Sequence, residues 1–259
     1  MQFRSIHWCL TCVDFDPKSI QLLILPGLGG DHRMAHSQLS LPYECITPDY
    51  IAFEKNESLV DYSYRFFAHI LNVHTVDLNR PFFIVGYSLG SAVGMELAKY
   101  LSVKGLILIG GPMQAREIKL IPRLFGEYVC WWLPLWVYRA AEVFVAPVMR
   151  IVSGISEREI RLAGVMYHEL ARGLFREAYR ALVEWPGCPV HVPYVRIHGQ
   201  YDQIIQCPKP GEHVVIIPKT KHLVGQARPE PVNSAIQSFI KHVMTGNHEK
   251  AELSLEDES

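Results

Sequence analysis

Between Phe82 and Leu101 the chain passes from an apolar run, through Gly86-Tyr87-Ser88-Leu89-Gly90, into a stretch of helical character. This strand–turn–helix passage restricts the possible folds more than any other feature of the sequence. A strand that turns sharply into a helix wants small residues around the turn, and it holds the central side chain above the edge of a sheet. The spacing predicts a strand over Phe82–Val85 and a helix over Ser91–Leu101. Other apolar runs bounded by turn residues predict strands over Gln21–Leu25, Glu44–Thr47, Gly105–Ile109, Tyr194–Ile197 and Val214–Ile217. Several are apolar almost without interruption, as parallel strands covered on both faces are. Ile6–Val13 reads as an additional N-terminal strand. Helices are predicted over Leu59–Val73 and Pro231–Val243; the second carries Val232, Ala235, Ile236, Phe239, Ile240 and Val243 on one stripe. The alternation is that of an α/β protein with a mainly parallel sheet flanked by helices.

The strand spacing stops after Gly111. From Pro112 to Trp185 no sheet strand is expected, whereas Ile160, Ala163, Tyr167, Leu170, Leu174, Ala178 and Leu182 recur at helical spacing. The expected division is a core of residues 1–111 and 186–245, a helical cap of residues 112–185, and a disordered acidic tail of residues 246–259.

Composition narrows the function classes. Of 259 residues, 49% are hydrophobic and 20% charged, a balance that excludes a disordered chain. A chain this long can bury about 70–75% of its unfolded surface, so it needs no disulfide or metal staples. The formal net charge is −1, which speaks against a nucleic-acid binder. Five acids and one Lys lie between Glu249 and Ser259; without them 24 basic residues face 21 acidic ones. Cys9, Cys12, Cys45, Cys130, Cys188 and Cys207 are scattered, and Cys9-Leu-Thr-Cys12 lacks a second pair that could complete a zinc site. No basic region followed by a long apolar run opens the chain, so a cytoplasmic protein with reduced thiols is expected. Tyr128–Tyr138 holds three of the five tryptophans, but it is eleven residues long and broken by Pro134. A membrane span needs about 20 apolar residues, so none is expected here. The segment reads as cap packing and pocket wall, with lipid contact as the alternative.

Ser88 alone is too weakly acidic to attack at neutral pH and needs a base and a group to orient that base. In this architecture the order along the chain is Ser, then Asp or Glu, then His. The run Tyr194–Ile197 leads to His198-Gly199-Gln200-Tyr201-Asp202, and Val214–Ile217 leads to Lys219-Thr220-Lys221-His222. Asp202 and His222 thus follow the carboxyl ends of parallel strands, where such sheets build their sites. Asp49 precedes the serine in the chain and Glu117 lies in the cap, so both are poorer orienting acids. His198 is expected to be structural. Neither His168-Glu169 nor His242 with His248 completes a ligand set, so no metal and no cofactor is expected. Pro26-Gly27-Leu28-Gly29-Gly30-Asp31 follows Gln21–Leu25 and offers backbone amides to a ligand, with Asp31 placed to cap the next helix. The amides of Leu28 and Leu89 are the expected oxyanion donors. Gly27, Tyr87, Trp132 and Trp136 are expected to line the substrate pocket.

With these residues the chain resembles the α/β-hydrolase superfamily over about residues 20–243, in its serine-nucleophile, esterase- and lipase-like branch. The resemblance implies that fold, with a helical cap inserted after its sixth strand. It also implies Ser88 as nucleophile, His222 as base and Asp202 as the base's partner. Pro26 stands where many members have His, and Ser91 where a second Gly is common. The expected activity is hydrolysis of a small-molecule carboxylic ester with a moderately hydrophobic acyl or alcohol part. Thioesterase and carbon–carbon-bond hydrolase chemistry use the same triad, and a small-molecule receptor with little turnover is the competing class.

Overall fold

A computed structural model describes residues 16–124, 147, 150, 154–169 and 174–246. The sheet has six parallel strands: β1 (Gln21–Leu25), β2 (Glu44–Ile46), β3 (Phe82–Tyr87), β4 (Gly105–Ile109), β5 (Tyr194–Gly199) and β6 (Val214–Ile217). Their spatial order is β2-β1-β3-β4-β5-β6. All of them pair in parallel. The helices are α1 (Leu59–Val73), α2 (Leu89–Leu97), α3 (Leu120–Leu124), α4 (Glu157–Glu169), α5 (Leu174–Glu184), α6 (Val224–Ala227) and α7 (Pro229–Thr245).

Side chains alternate across the sheet with period two, and the core divides accordingly. Leu23, Leu25, Phe82, Ile84, Leu106 and Leu108 face a layer formed by α1, α2 and α5. Leu22, Ile24, Phe83, Val85, Ile107 and Ile109 face the opposite layer, where α7 contributes Val232, Ala235, Ile236 and Ile240. Each such side chain contributes about 1.5–3 kcal/mol on full burial, so the two faces together hold the sheet. α1 starts where Ser58 accepts from the Asp61 amide at 3.1 Å, and its buried Leu59, Tyr62, Phe66 and Ile70 form one stripe.

Five elements differ from expectation at their ends: β2 stops at Ile46, β5 continues to Gly199, α2 stops at Leu97, and β3 and α7 are longer. β3 runs on through Gly86 and Tyr87, because both still pair with Leu108 and Ile109 of β4. α2 begins at Leu89, directly after the turn, and all nine of its residues are buried, which erased the periodicity that would mark its start. α7 is longer than predicted by two residues at each end, with Pro229 in its first turn and Gly246 at φ +67 closing it. The segment expected as a cap follows β4, the fourth strand among the described residues. Ile6–Val13, Tyr128–Tyr138 and residues 247–259 lie outside the described residues. No helix among the described residues is long and apolar enough to cross a membrane.

The strand order places β1 between the edge strand β2 and β3. The chain steps from β1 outwards to β2, then returns past β1 to β3. Connections on opposite sides of β1 and β3 diverge at their carboxyl ends, and the crevice that results is where open α/β sheets bind ligands.

Candidate active site

Ser88 sits at this crevice with φ +47 and ψ −109, a conformation that non-glycine residues rarely adopt. Its surroundings explain how the chain tolerates it. The Ser88 amide donates to the Ile109 carbonyl at 2.9 Å, anchoring the turn to β4. A methyl group on Gly86 would meet the Gly90 backbone at 2.4 Å, and one on Gly90 would meet the Leu25 carbonyl oxygen at 2.4 Å. Both glycines are therefore steric requirements of the turn. The Ser91 hydroxyl donates to the Gly86 carbonyl at 2.7 Å, and Gly111 leaves the room for it. That bond gives Ser91 a use at a position where a glycine is common.

His222 Nε2 lies 3.2 Å from Ser88 Oγ, and His222 Nδ1 lies 2.8 Å from Asp202 Oδ2. The three expected residues thus meet in one hydrogen-bonded chain. Two glycines let the backbones approach so closely. Gly110 has φ +57 and faces the His222 carbonyl, and a methyl on Gly199 would collide with the Lys221 carbonyl. Asp202 is 1% exposed. Its Oδ1 accepts the Ile204 and Ile205 amides at 2.8 and 3.0 Å. Burial alone opposes ionisation of this carboxyl, but the hydrogen bond of His222 and the closeness of both His222 and His198 outweigh it and hold the group well below the usual carboxylate range.

The loop after β1 closes the crevice from the other side. The Gly30 amide donates to the Gly27 carbonyl at 3.1 Å, and Gly29 takes φ +86, which a residue with a side chain would resist. A methyl on Gly27 would stand 3.5 Å from Ser88 Cβ, so this loop abuts the serine. Leu89 is the first residue of α2, and its amide has no acceptor within the helix. Neither that amide nor the Leu28 amide donates to a group among the described residues. Asp31 accepts the Arg33 amide at 2.9 Å and caps a short 3₁₀ turn.

Tyr87 does not line a pocket: it is 3% exposed, its hydroxyl donates to Gln38, and its ring packs against Gly225. The cause is the strand pleat, which puts Tyr87 on the same face as Phe83 and Val85. Trp132 and Trp136 lie outside the described residues. Asp49 binds His32 Nδ1 at 2.8 Å, and Glu117 binds Arg196 at 2.7 Å, so each rival acid is engaged elsewhere.

Sequence reasoning missed three features. His198 is wholly buried, with Nε2 3.0 Å from Asp202 Oδ2. Tyr167 of α4 and Phe175 of α5 stack edge to face and lie over Gly29. Asp31, His32 and Asp49 come within ligand distance of one another, although both Asp31 oxygens are already taken by Arg33. Beside them a cleft of about 330 Å³ opens between Gly30, Tyr50, Met166, Glu169 and Leu174. Its rim is charged, with Arg33 joining Asp31 to Glu169 of α4.

Solved structures of similar shape include a thermophilic esterase from Thermogutta terrifontis in a malate-bound form. It is 20% identical, with TM-score 0.65, over 86% of this chain and 90% of that one. MenH from S. aureus is 16% identical, with TM-score 0.60, over 88% and 95% of the two chains. A lipase-esterase related protein from Clostridium acetobutylicum is 13% identical, with TM-score 0.65, over 88% and 97%. At these identities the likeness is one of fold. No curated protein sequence matches the chain. A family model described as "Alpha/beta hydrolase family" matches residues 22–235, and the chain belongs to that family.

Proposed function

We propose that the protein is a serine hydrolase of carboxylic esters, with Ser88 as nucleophile, His222 as general base and Asp202 as the acid that orients it. The observation that carries the reading is the unbroken chain from Ser88 Oγ through His222 to Asp202. In the first step Ser88 Oγ bonds to the ester carbonyl carbon while His222 Nε2 takes the hydroxyl proton. The carbonyl oxygen becomes an oxyanion, received by the Leu28 and Leu89 amides; one such donor is worth about 10²–10³ in rate. As the intermediate collapses, His222 returns its proton to the departing alkoxide and an acyl-serine remains. Water then repeats the sequence: its oxygen bonds to the acyl carbon while His222 takes a proton, and as the bond to Ser88 Oγ breaks His222 returns that proton to Oγ, freeing the acid and restoring the serine. Asp202 keeps the imidazole in the tautomer with Nδ1–H and balances the charge on the imidazolium.

Residues 112–185 act in this reading as a cap over the serine. Tyr167 and Phe175 above Gly29 support it and suit a substrate with a moderately hydrophobic part. Gly27 forms the pocket floor beside Ser88, and Trp132 and Trp136 remain proposed pocket residues. The names of the esterase from Thermogutta terrifontis and the lipase-esterase related protein support an ester over other acyl compounds. A panel of nitrophenyl esters, thioesters and β-diketones tests the choice of bond. Ester turnover well above the other classes is expected; a preference for thioesters or for carbon–carbon cleavage would reassign the substrate. Ligand-induced stabilisation with no turnover on any class would make the protein a receptor.

A further inference from the structure

Asp202 has a neighbour that the reaction above leaves unused. His198 lies in β5, directly before Gly199, and is wholly buried. Its Nε2 is 3.0 Å from Asp202 Oδ2, the oxygen that also meets His222 Nδ1. The approach is close but poorly angled, and neither ring nitrogen of His198 has an aligned hydrogen-bond partner among the described residues. A buried imidazole left unsatisfied is costly and asks for an explanation. A leucine in its place would fill the strand position without that cost.

We propose that His198 is a positioning residue for the Asp202 carboxylate, its Nε2–H swinging into line on Oδ2 as charge develops on His222. The inference rests on Ser88, His222 and Asp202 being the working chain. The Ile204 and Ile205 amides hold Oδ1. Without His198 the carboxylate keeps these two donors but can still rock about them, and its other oxygen loses a fixed direction. With His198 in line, Oδ2 is held from the side, and the direction left to it is the one towards His222 Nδ1. His198 acts on the reaction through Asp202 alone.

The test uses the full chain and the rate at which a fluorophosphonate labels Ser88, with the melting temperature measured alongside. His198→Leu keeps bulk and removes the donor, whereas His198→Gln keeps an N–H at comparable reach. His198→Leu is expected to slow labelling by about tenfold or more, the value of a hydrogen bond to a charged group. His198→Gln is expected to recover most of that loss, with both variants melting together. In an Asp202→Asn background His198→Leu should add nothing, because residues that act as one unit are not additive. Equal slowing in both variants, or a full effect that survives Asp202→Asn, would overturn the proposal in favour of a packing role. Should His198→Leu fail to fold, His198→Asn, whose shorter amide falls short of Oδ2, replaces it under the same criteria. Persistent labelling of Ser88→Ala would overturn the nucleophile assignment beneath the proposal. Labelling that depends on Ser88 but is unchanged in His198→Leu would overturn the role of His198 alone.

Discussion

Among the described residues, two Asp–His pairs have the same separation and very different surroundings. Asp202 Oδ2 and His222 Nδ1 are 2.8 Å apart, as are Asp49 Oδ1 and His32 Nδ1. In the first pair the side chains are 0% and 8% exposed; in the second they are 57% and 52% exposed. Water can replace either partner of the exposed pair, so its attraction is largely screened. Asp202 has no such recourse: two amides of its own loop hold Oδ1 and His222 holds Oδ2, with His198 Nε2 3.0 Å away. Distance therefore does not distinguish a working pair from a surface one. Burial and a complete set of donors do, because they fix one geometry and make the charge count.

The largest difference should appear on neutralising the acids. Asp202→Asn is expected to lower turnover by about 10⁴, since the amide favours the wrong imidazole tautomer. Asp49→Asn should leave ester turnover within about twofold of wild type, consistent with a surface ion pair worth about 0–1 kcal/mol. A large loss at Asp49 with a small one at Asp202 would exchange the roles of the two pairs.

A second, smaller contrast concerns acid stability. The Asp202 carboxyl binds a proton less readily folded than unfolded, because the fold holds its ionised form. Ionised Asp202 thus stabilises the fold above its ordinary value of 3.8, and that contribution is lost progressively as pH falls below it. Melting temperature measured from pH 6 to pH 3 should fall less steeply in Asp202→Asn than in wild type. Parallel curves would mean that the buried pair is no better held than the exposed one. Because Asp202 stays ionised, activity should show no separate limb from this carboxyl at mildly acidic pH. The smallest effect is expected from salt: moderate ionic strength should erase any stability difference between Asp49→Asn and wild type, and leave Asp202→Asn unmoved.

Much of this was legible in the residues. Gln21–Leu25, Gly105–Ile109 and Leu59–Val73 lie where they were predicted, because unbroken apolar runs and a single apolar stripe admit one reading each. Ser88, Asp202 and His222 stood out because each follows a strand in the order the fold requires. The start of α2 was obscured by its complete burial, which removes the polar face that marks a helix. Tyr87 was misplaced although the signal was present: continuing the alternation of Phe83 and Val85 puts its ring in the core. His198 gave no signal, since a histidine in an apolar strand looks the same whether or not a carboxylate waits four residues on. The Asp31, His32 and Asp49 grouping depends on the packing of two loops, which neither loop's own sequence specifies.

Replacement of Ser88 by Ala tests the central claim most directly. Turnover of a short-chain nitrophenyl ester is measured, together with the mass of the fluorophosphonate adduct and its position in the chain. The account predicts one adduct, on Ser88, in the wild-type protein. It predicts no adduct in Ser88→Ala, and turnover lower by about 10⁴ or more, with the melting temperature preserved. Wild-type turnover in Ser88→Ala, or an adduct on another residue, would contradict it.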